Sequence, residues 1–202
     1  MTPRVTQVCY TTRDIEATAK AIAAIDGIGP FFCAEFPQQN LVYRDRRLGN
    51  GRVQVAFAYK GDLQYELIQA PSDAPSFYTE LLGDRREAFH HTYLSSDEDY
   101  DALVARYTAA GEPLAYWGTA GDHGIRFGFL DATARLGHFI ETLETRKMSG
   151  PSAEIFTYYE RMKVVCAQWD GQRPIRLLTE VAGVAPAADL TRIVREHPGS
   201  TE

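Results

Sequence analysis

Phe89-His90-His91-Thr92-Tyr93-Leu94-Ser95-Ser96-Asp97 restates a pattern the chain has already used once, at Thr6-Gln7-Val8-Cys9-Tyr10-Thr11-Thr12-Arg13-Asp14. Laid over each other, Gln7 falls on His91, Tyr10 on Leu94, and Asp14 near the acidic run Asp97-Glu98-Asp99. Each copy reads as a short strand ending in Ser or Thr and Asp, whose side-chain oxygens cap the free N–H groups of a following helix. The helices so predicted span 15–25 and 100–110. Several strand-like runs follow each helix. Each set closes on a carboxylate between apolar neighbours, at Gln64-Tyr65-Glu66-Leu67-Ile68 and at Gly137-His138-Phe139-Ile140-Glu141-Thr142-Leu143. Two copies make a duplication rather than a solenoid. The expected fold is therefore α+β: two βαβββ modules forming a curved-sheet cleft, with a C-terminal helical extension.

Reading outward gives the boundaries. The first module is 1–74, a linking helix 75–88, the second module 89–148, and the extension 149–202. In the first module, Ile15, Ala19, Ile22 and Ala23 share a helix face, and Gly27 and Gly29-Pro30 stop the helix. Strand-like runs follow at 31–36, 41–46 and 53–59. Gly49-Asn50-Gly51 is a hairpin signal before the last of them. In the second module, Gly111-Glu112-Pro113 breaks the pattern before a strand at 114–117. A Gly-rich loop covers 118–124, a strand 126–130 and a turn 131–136. Ser149-Gly150-Pro151-Ser152 marks the end of the repeat. Beyond it the pattern predicts helices over 153–168 and 187–196.

Composition narrows the class. Of 202 residues, 45% are hydrophobic and 24% charged, as in globular proteins. The net charge of −6 comes with no Lys/Arg cluster, which argues against nucleic acid as a partner. The amino terminus has no basic-then-apolar pattern of a signal peptide. No apolar stretch approaches the roughly 20 residues of a membrane span. Cys9, Cys33 and Cys166 are odd in number and far apart, which speaks for reduced thiols and a cytoplasmic location. The Gly118–Gly124 loop lacks both the P-loop Lys-Ser/Thr and the dinucleotide spacing.

Alternate residues of a strand face one side of a sheet. If the two modules share one cleft, Gln7, Glu66, His91 and Glu141 can converge in it. An imidazole, two carboxylates and an amide oxygen suit a borderline-to-hard divalent metal, whose charge the carboxylates neutralise. Without a metal the carboxylates repel and one pKa rises. The plain alternative for each is a strand residue satisfied elsewhere, with Glu66 on an outer face. His90, the neighbour of His91, points the other way, as a surface or supporting residue. His138 reads as a packing group and Cys9 as a small core thiol. His123, Arg126, Tyr93 and Trp117 are weaker candidates for the substrate side of the cleft. Tyr43 and Phe127 are weaker still.

At these residues the chain resembles the vicinal oxygen chelate superfamily, which contains glyoxalase I, methylmalonyl-CoA epimerase and the extradiol dioxygenases. The resemblance covers 4–145. It is carried by Gln7-Val8-Cys9-Tyr10, Arg13-Asp14-Ile15-Glu16, Tyr65-Glu66-Leu67-Ile68-Gln69-Ala70-Pro71, His90-His91 and Leu136-Gly137-His138-Phe139-Ile140-Glu141. It implies one metal ligand on the first and last strand of each module: Gln7, Glu66, His91 and Glu141, a set similar to that of the zinc glyoxalases. It also implies a divalent ion (Zn, Mn, Co, Ni, Mg or Fe(II)), a small organic or aromatic substrate, and a possible homodimer. The chemistry implied is proton transfer beside a carbonyl, as isomerase, epimerase or lyase, with Glu141 or Glu66 as the base. Ring-cleaving oxygenation by Fe(II) is an alternative that Gln7 weakens, because that chemistry needs two His and one carboxylate. A non-catalytic binder of the resistance type is the other. The superfamily pattern says little about the extension, which is expected to cover an edge, line the cleft or support a dimer contact.

Overall fold

The computed structural model describes residues 3–70, 76–121, 124–145 and 154–181. The elements in chain order are β1 (Arg4–Thr12), α1 (Ile15–Asp26), β2 (Phe31–Tyr43), β3 (Arg46–Lys60), β4 (Leu63–Gln69), β5 (Glu87–Ser95), α2 (Tyr100–Ala109), β6 (Leu114–Ala120), β7 (Ile125–Leu130), α3 (Thr133–Leu136), β8 (Phe139–Leu143), α4 (Glu154–Ala167) and β9 (Ile175–Leu177). A 3-10 turn, Leu178–Glu180, follows β9. The α+β architecture is as the duplication implies.

The strands run β3-β4-β1-β5-β8-β7-β6-β2, and β2 pairs back onto β3, so the sheet closes into a ring. The first repeat contributes β2-β3-β4-β1 and the second β6-β7-β8-β5, in equivalent order. In both, first and last strands are parallel neighbours: β1 with β4, β5 with β8. The halves meet antiparallel along two seams, β1–β5 and β2–β6. β9 extends the sheet beside the start of β2.

Local chemistry sets the helices. Asp14 accepts from the Ala17 N–H at 2.9 Å, and Gly27 closes α1 with φ +63°. Ile15 and Ala19 pack against Ala56, Ala58 and Leu67 on the outside of the sheet. Asp99 caps α2 through Asp101 and Ala102. Inside the ring lies an aromatic core that includes Phe57, Phe77, Tyr116, Phe127, Phe129 and Phe139. Phe77 stacks on Tyr116 with centroids 4.4 Å apart.

Three expectations need correction. The β2–β3 turn lies at Arg44 and Asp45, with Arg44 at φ +51°, not at Gly49-Asn50-Gly51. The three runs at 31–36, 41–46 and 53–59 are thus one long hairpin. Gly49 and Gly51 sit within β3 opposite a bulge in β2, where Asn50 Oδ1 accepts from the Asn40 N–H at 3.2 Å. The expected linking helix is a run of turns over 77–84, and β5 begins inside its range. Here Thr11 donates to the Tyr78 carbonyl at 2.8 Å and Arg13 to the Gly83 carbonyl at 2.7 Å. Adjacent Phe77 and Tyr78 are also both buried. Both features oppose a regular helix. Finally, β6 runs through Ala120, so the first three residues of the predicted Gly-rich loop are strand. The helix predicted over 187–196 lies outside the described residues, while the one over 153–168 is α4.

Candidate metal centre

The inner face of β1 carries Gln7, Cys9 and Thr11, all buried, while Tyr10 faces outward against Phe89. Cys9 is the register partner of Glu66 on β4 and of His91 on β5. On the far side of β5, Phe139 of β8 pairs with His91, and Glu141 with Tyr93. Strand alternation thus aims Glu66, His91 and Glu141 at one point across the β1–β5 seam.

His91 Nε2 lies 3.2 Å from Glu66 Oε2 and 3.2 Å from Glu141 Oε2. Neither contact is aligned as a hydrogen bond, so Nε2 is a buried polar atom without a hydrogen-bond partner. Gln7 Nε2 donates to Glu66 Oε2 at 2.8 Å. The cluster is nearly sealed: His91 is 0%, Gln7 6% and Glu66 7% exposed.

His90 departs from the expected alternation. The β1–β5 register shifts between Cys9–His91 and Tyr10–Phe89, leaving His90 as the extra residue of a bulge. Its side chain is fully buried rather than on the surface. His90 Nε2 sits 3.3 Å from the Phe77 carbonyl and its Nδ1 2.9 Å from His91 Nδ1. Burial and the neighbouring His91 charge push the His90 pKa down to about 3, against a small opposing effect of the Phe77 carbonyl. A neutral His90 that donates from Nε2 can only accept at Nδ1. His91 therefore carries its first proton on Nδ1, which leaves the Nε2 lone pair facing the two carboxylates.

Burial alone lowers the His91 pKa, but Glu141 and Glu66 outweigh it and raise it to about 9. Burial raises the Glu141 pKa; His91 opposes this and Glu66 adds to it. Two carboxylates and one imidazolium still leave one buried negative charge unbalanced, whereas a divalent cation with neutral His91 balances both carboxylates. Glu66, His91 and Glu141 each present a ligand atom within 4.8 Å of the others, so this trio fits a metal. Gln7 fits only with its amide turned over, since its nitrogen now faces Glu66. Cys9, His90 and His91 form a second close trio. That one fits poorly, because burial, with Glu66 beside it, holds the Cys9 thiol well above its usual pKa, and His90 Nδ1 is spent on His91.

The weaker candidates separate. Tyr93 lies on the His91 face of β5, opposite Glu141, and burial followed by the Glu141 charge raises its pKa. Trp117 alternates with Tyr116 and Gly118, whose partners Phe129 and Phe127 fill the interior, so Trp117 faces outward. Arg126 also faces outward, bonded to Asp101 at 2.8 Å and Glu144 at 2.9 Å over the Tyr100 ring. Asp101 and Glu144 lie 25 and 18 residues from Arg126 along the chain, so only the folded sheet brings them together. His123 lies outside the described residues. His138 is half-buried and rests on Phe89, and Phe127 is core. Tyr43 packs on Phe77 and bonds Glu80. Sequence reasoning missed Tyr158, Tyr159 and Met162 of α4, which reach the ring interior. Their closely spaced apolar bulk in the extension was the available signal.

A family model described as the glyoxalase/bleomycin resistance protein/dioxygenase superfamily matches residues 6–129. A search of the curated proteins finds no match. Similar solved structures include a methylmalonyl-CoA epimerase variant from Streptomyces coelicolor with 2-nitronate-propionyl-CoA, at 20% identity and TM-score 0.48, covering 69% of this chain and 95% of that one. The methylmalonyl-CoA epimerase of Mycobacterium tuberculosis is 16% identical, with TM-score 0.48, covering 75% and 91%. A hypothetical protein from Bacillus halodurans C-125 is 14% identical, with TM-score 0.48, covering 71% and 94%. No described helix is long and apolar enough to cross a membrane.

Proposed function

The chain belongs to the glyoxalase/bleomycin resistance protein/dioxygenase superfamily, and we propose that it is a metal-dependent enzyme of that group, moving a proton beside a carbonyl in an isomerase, epimerase or lyase step. The observation that carries this reading is the unpartnered His91 Nε2, 3.2 Å from both Glu66 and Glu141. Glu66, His91 and Glu141 would hold a divalent ion, with Gln7 as a fourth ligand through its amide oxygen. Bound there, such an ion acts as a Lewis acid toward a carbonyl or enediolate oxygen. Zn, Mn, Co, Ni, Mg and Fe(II) all accept these donor types. A single imidazole at the cluster, with His90 engaged by Phe77, falls short of the two-His, one-carboxylate set of Fe(II) oxygenation.

Glu141 is the base in this reading. Its raised pKa brings it closer to neutral pH, where a general base works best. Tyr93, half-buried beside it, borders the same space. The aromatic interior supports a small organic or aromatic carbonyl compound as substrate. Three cysteines free of disulfides support a cytoplasmic location.

Elemental analysis of protein purified without tag or chelator tests the site. About one divalent ion per chain, lost in His91→Ala and Glu141→Ala, is the expected result. No ion in the wild type after reloading removes the reading. For the base, Glu141→Gln is expected to keep some metal and lose turnover by more than about a hundredfold. An unchanged rate excludes Glu141 from that role.

A further inference from the structure

A polar row crosses five neighbouring strands. Tyr59 of β3 pairs with Gln64 of β4, Gln64 with Gln7 of β1, Gln7 with Tyr93 of β5, and Tyr93 with Glu141 of β8. Two residues further along the same strands lies the row of Phe57, Glu66, Cys9, His91 and Phe139. Alternation therefore turns both rows to the ring interior. Exposure changes along the polar row: Tyr59, Gln64 and Gln7 are buried, whereas Tyr93 and Glu141 are half-buried. The buried end is covered by α4, which is held along its length. Tyr159 meets Phe57 edge-on at 5.8 Å and lies 6.4 Å from Tyr59. Lys163 Nζ sits 5.6 Å from the Tyr59 ring centroid and 3.4 Å from Asp62, and Cys166 Sγ accepts from the Tyr59 N–H at 3.4 Å. The Glu141 side chain keeps 15% of its surface exposed, so the way to it lies on the Tyr93 side.

The polar groups around this space are committed within the protein, with one exception. Gln7 Nε2 donates to Glu66, and Gln64 Nε2 donates to Tyr59 Oη at 2.6 Å. The Tyr78 and Tyr116 hydroxyls both donate to Gln38 Oε1, each at 3.0 Å, and the Tyr43 hydroxyl donates to Glu80. Among the described residues, no group bonds the Tyr93 hydroxyl. An uncommitted phenol, able to donate one hydrogen bond, thus stands beside Glu141 where that carboxylate can be approached.

We propose that Tyr93 is the specificity-determining residue of the candidate site, its hydroxyl donating to a hydroxyl or keto oxygen on the carbon next to the substrate's carbonyl. The substrate class is then a small, neutral carbonyl compound carrying that second oxygen. Held by Tyr93, its C–H bond is turned toward Glu141, the paired residue on β8. A compound without the second oxygen leaves the phenol without a partner and binds less well. The inference rests on the cleft being a carbonyl site, but its test reads the contact with Tyr93 and needs no turnover.

The full-length chain, with tyrosine carrying carbon-13 at Cζ, is titrated with hydroxyacetone and with acetone, both Zn2+-reloaded and after EDTA. The resonance missing from Tyr93→Phe identifies Tyr93. It is expected to move with hydroxyacetone and to stay in place with acetone. No movement with hydroxyacetone in either preparation, or equal movement with both compounds, overturns the proposal. In Tyr93→Phe, the hydroxyacetone Kd is expected to rise about three- to tenfold, the worth of one hydrogen bond. Tyr59→Phe, whose lost hydroxyl served Gln64, is expected to keep the wild-type Kd. An unchanged Kd in Tyr93→Phe, or an equal rise in both variants, overturns the proposal. Tyr93→Phe is also expected to unfold at the wild-type urea midpoint, and a lower midpoint, showing that the hydroxyl bonds within the protein, overturns it too. If the wild type takes up no Zn2+, the metal reading fails, while the Tyr93 resonance in the EDTA-treated chain still decides this one.

Discussion

The Nδ1 atoms of His90 and His91 face each other at 2.9 Å, so the proton between them fixes which nitrogen of His91 is free to bind. His90 holds this position because the Phe77 carbonyl takes its other nitrogen. A residue outside the proposed ligand set thereby fixes the tautomer of one proposed to be in it.

Replacing His90 by Phe keeps the aromatic volume and removes the acceptor. The His91 ring loses its fixed tautomer and orientation. Partners of this kind are worth roughly 10–100-fold in metal affinity. The His90→Phe variant should bind Zn2+ that much more weakly in competition with a chromophoric chelator. Wild-type affinity would show that the His pair is only packing.

His90 and His91 together favour the folded, metal-free protein most near pH 6.5. The folded His90 pKa of about 3 lies below the usual 6.5, so the unfolded chain takes up a proton first on acidification. The His90 contribution is full above pH 6.5 and is lost as pH falls toward 3. His91, raised to about 9, works the other way: its contribution is full below 6.5 and is lost as pH rises toward 9. Each group changes stability by at most about 1.4 kcal/mol per pH unit. Urea unfolding in EDTA at pH 5 and 6.5 should therefore show the wild type losing more free energy on acidification than His90→Phe does. His90→Phe should flatten the acid limb.

Arg126 is a structural residue of the outer face. Arg126→Ala removes the bidentate partner of Glu144, whose side chain is 8% exposed, and the stack on Tyr100. Leaving a buried carboxylate short of its partner costs about 1–3 kcal/mol. Denaturant unfolding should show that loss, while metal content per chain stays unchanged. A metal-poor but equally stable variant would return Arg126 to the cleft.

Much of this arrangement was legible because strands repeat every two residues. Matching Gln7 to His91, and closing each repeat on Glu66 or Glu141, fixes which faces meet once the halves pair. His90 was not legible. A bulge inserts one residue without a local signature, and it turns a neighbour expected outside into a buried partner. Arg126 and Trp117 failed for a related reason: the face of β6 and β7 that looks inward depends on pairing with β8 and β2. The Asn-Gly pair at Asn50 has ordinary turn chemistry, yet the long β2–β3 ladder uses it opposite a bulge. The helix over 153–168 was legible as an element, but α4 has no counterpart in the repeat, so nothing in the repeat said which of its side chains enter the ring.

The ring has a consequence for the halves themselves. Cut along its seams, each repeat would present two unpaired edges, β1 and β2 in one, β5 and β6 in the other. Such edges invite association with any strand at hand. Each repeat is therefore the other's protective cap. Each also carries only part of the chemistry: an amide and a carboxylate from the first, an imidazole and a carboxylate from the second. Neither inheritance suffices alone, and the same contact that hides the sticky borders assembles the centre.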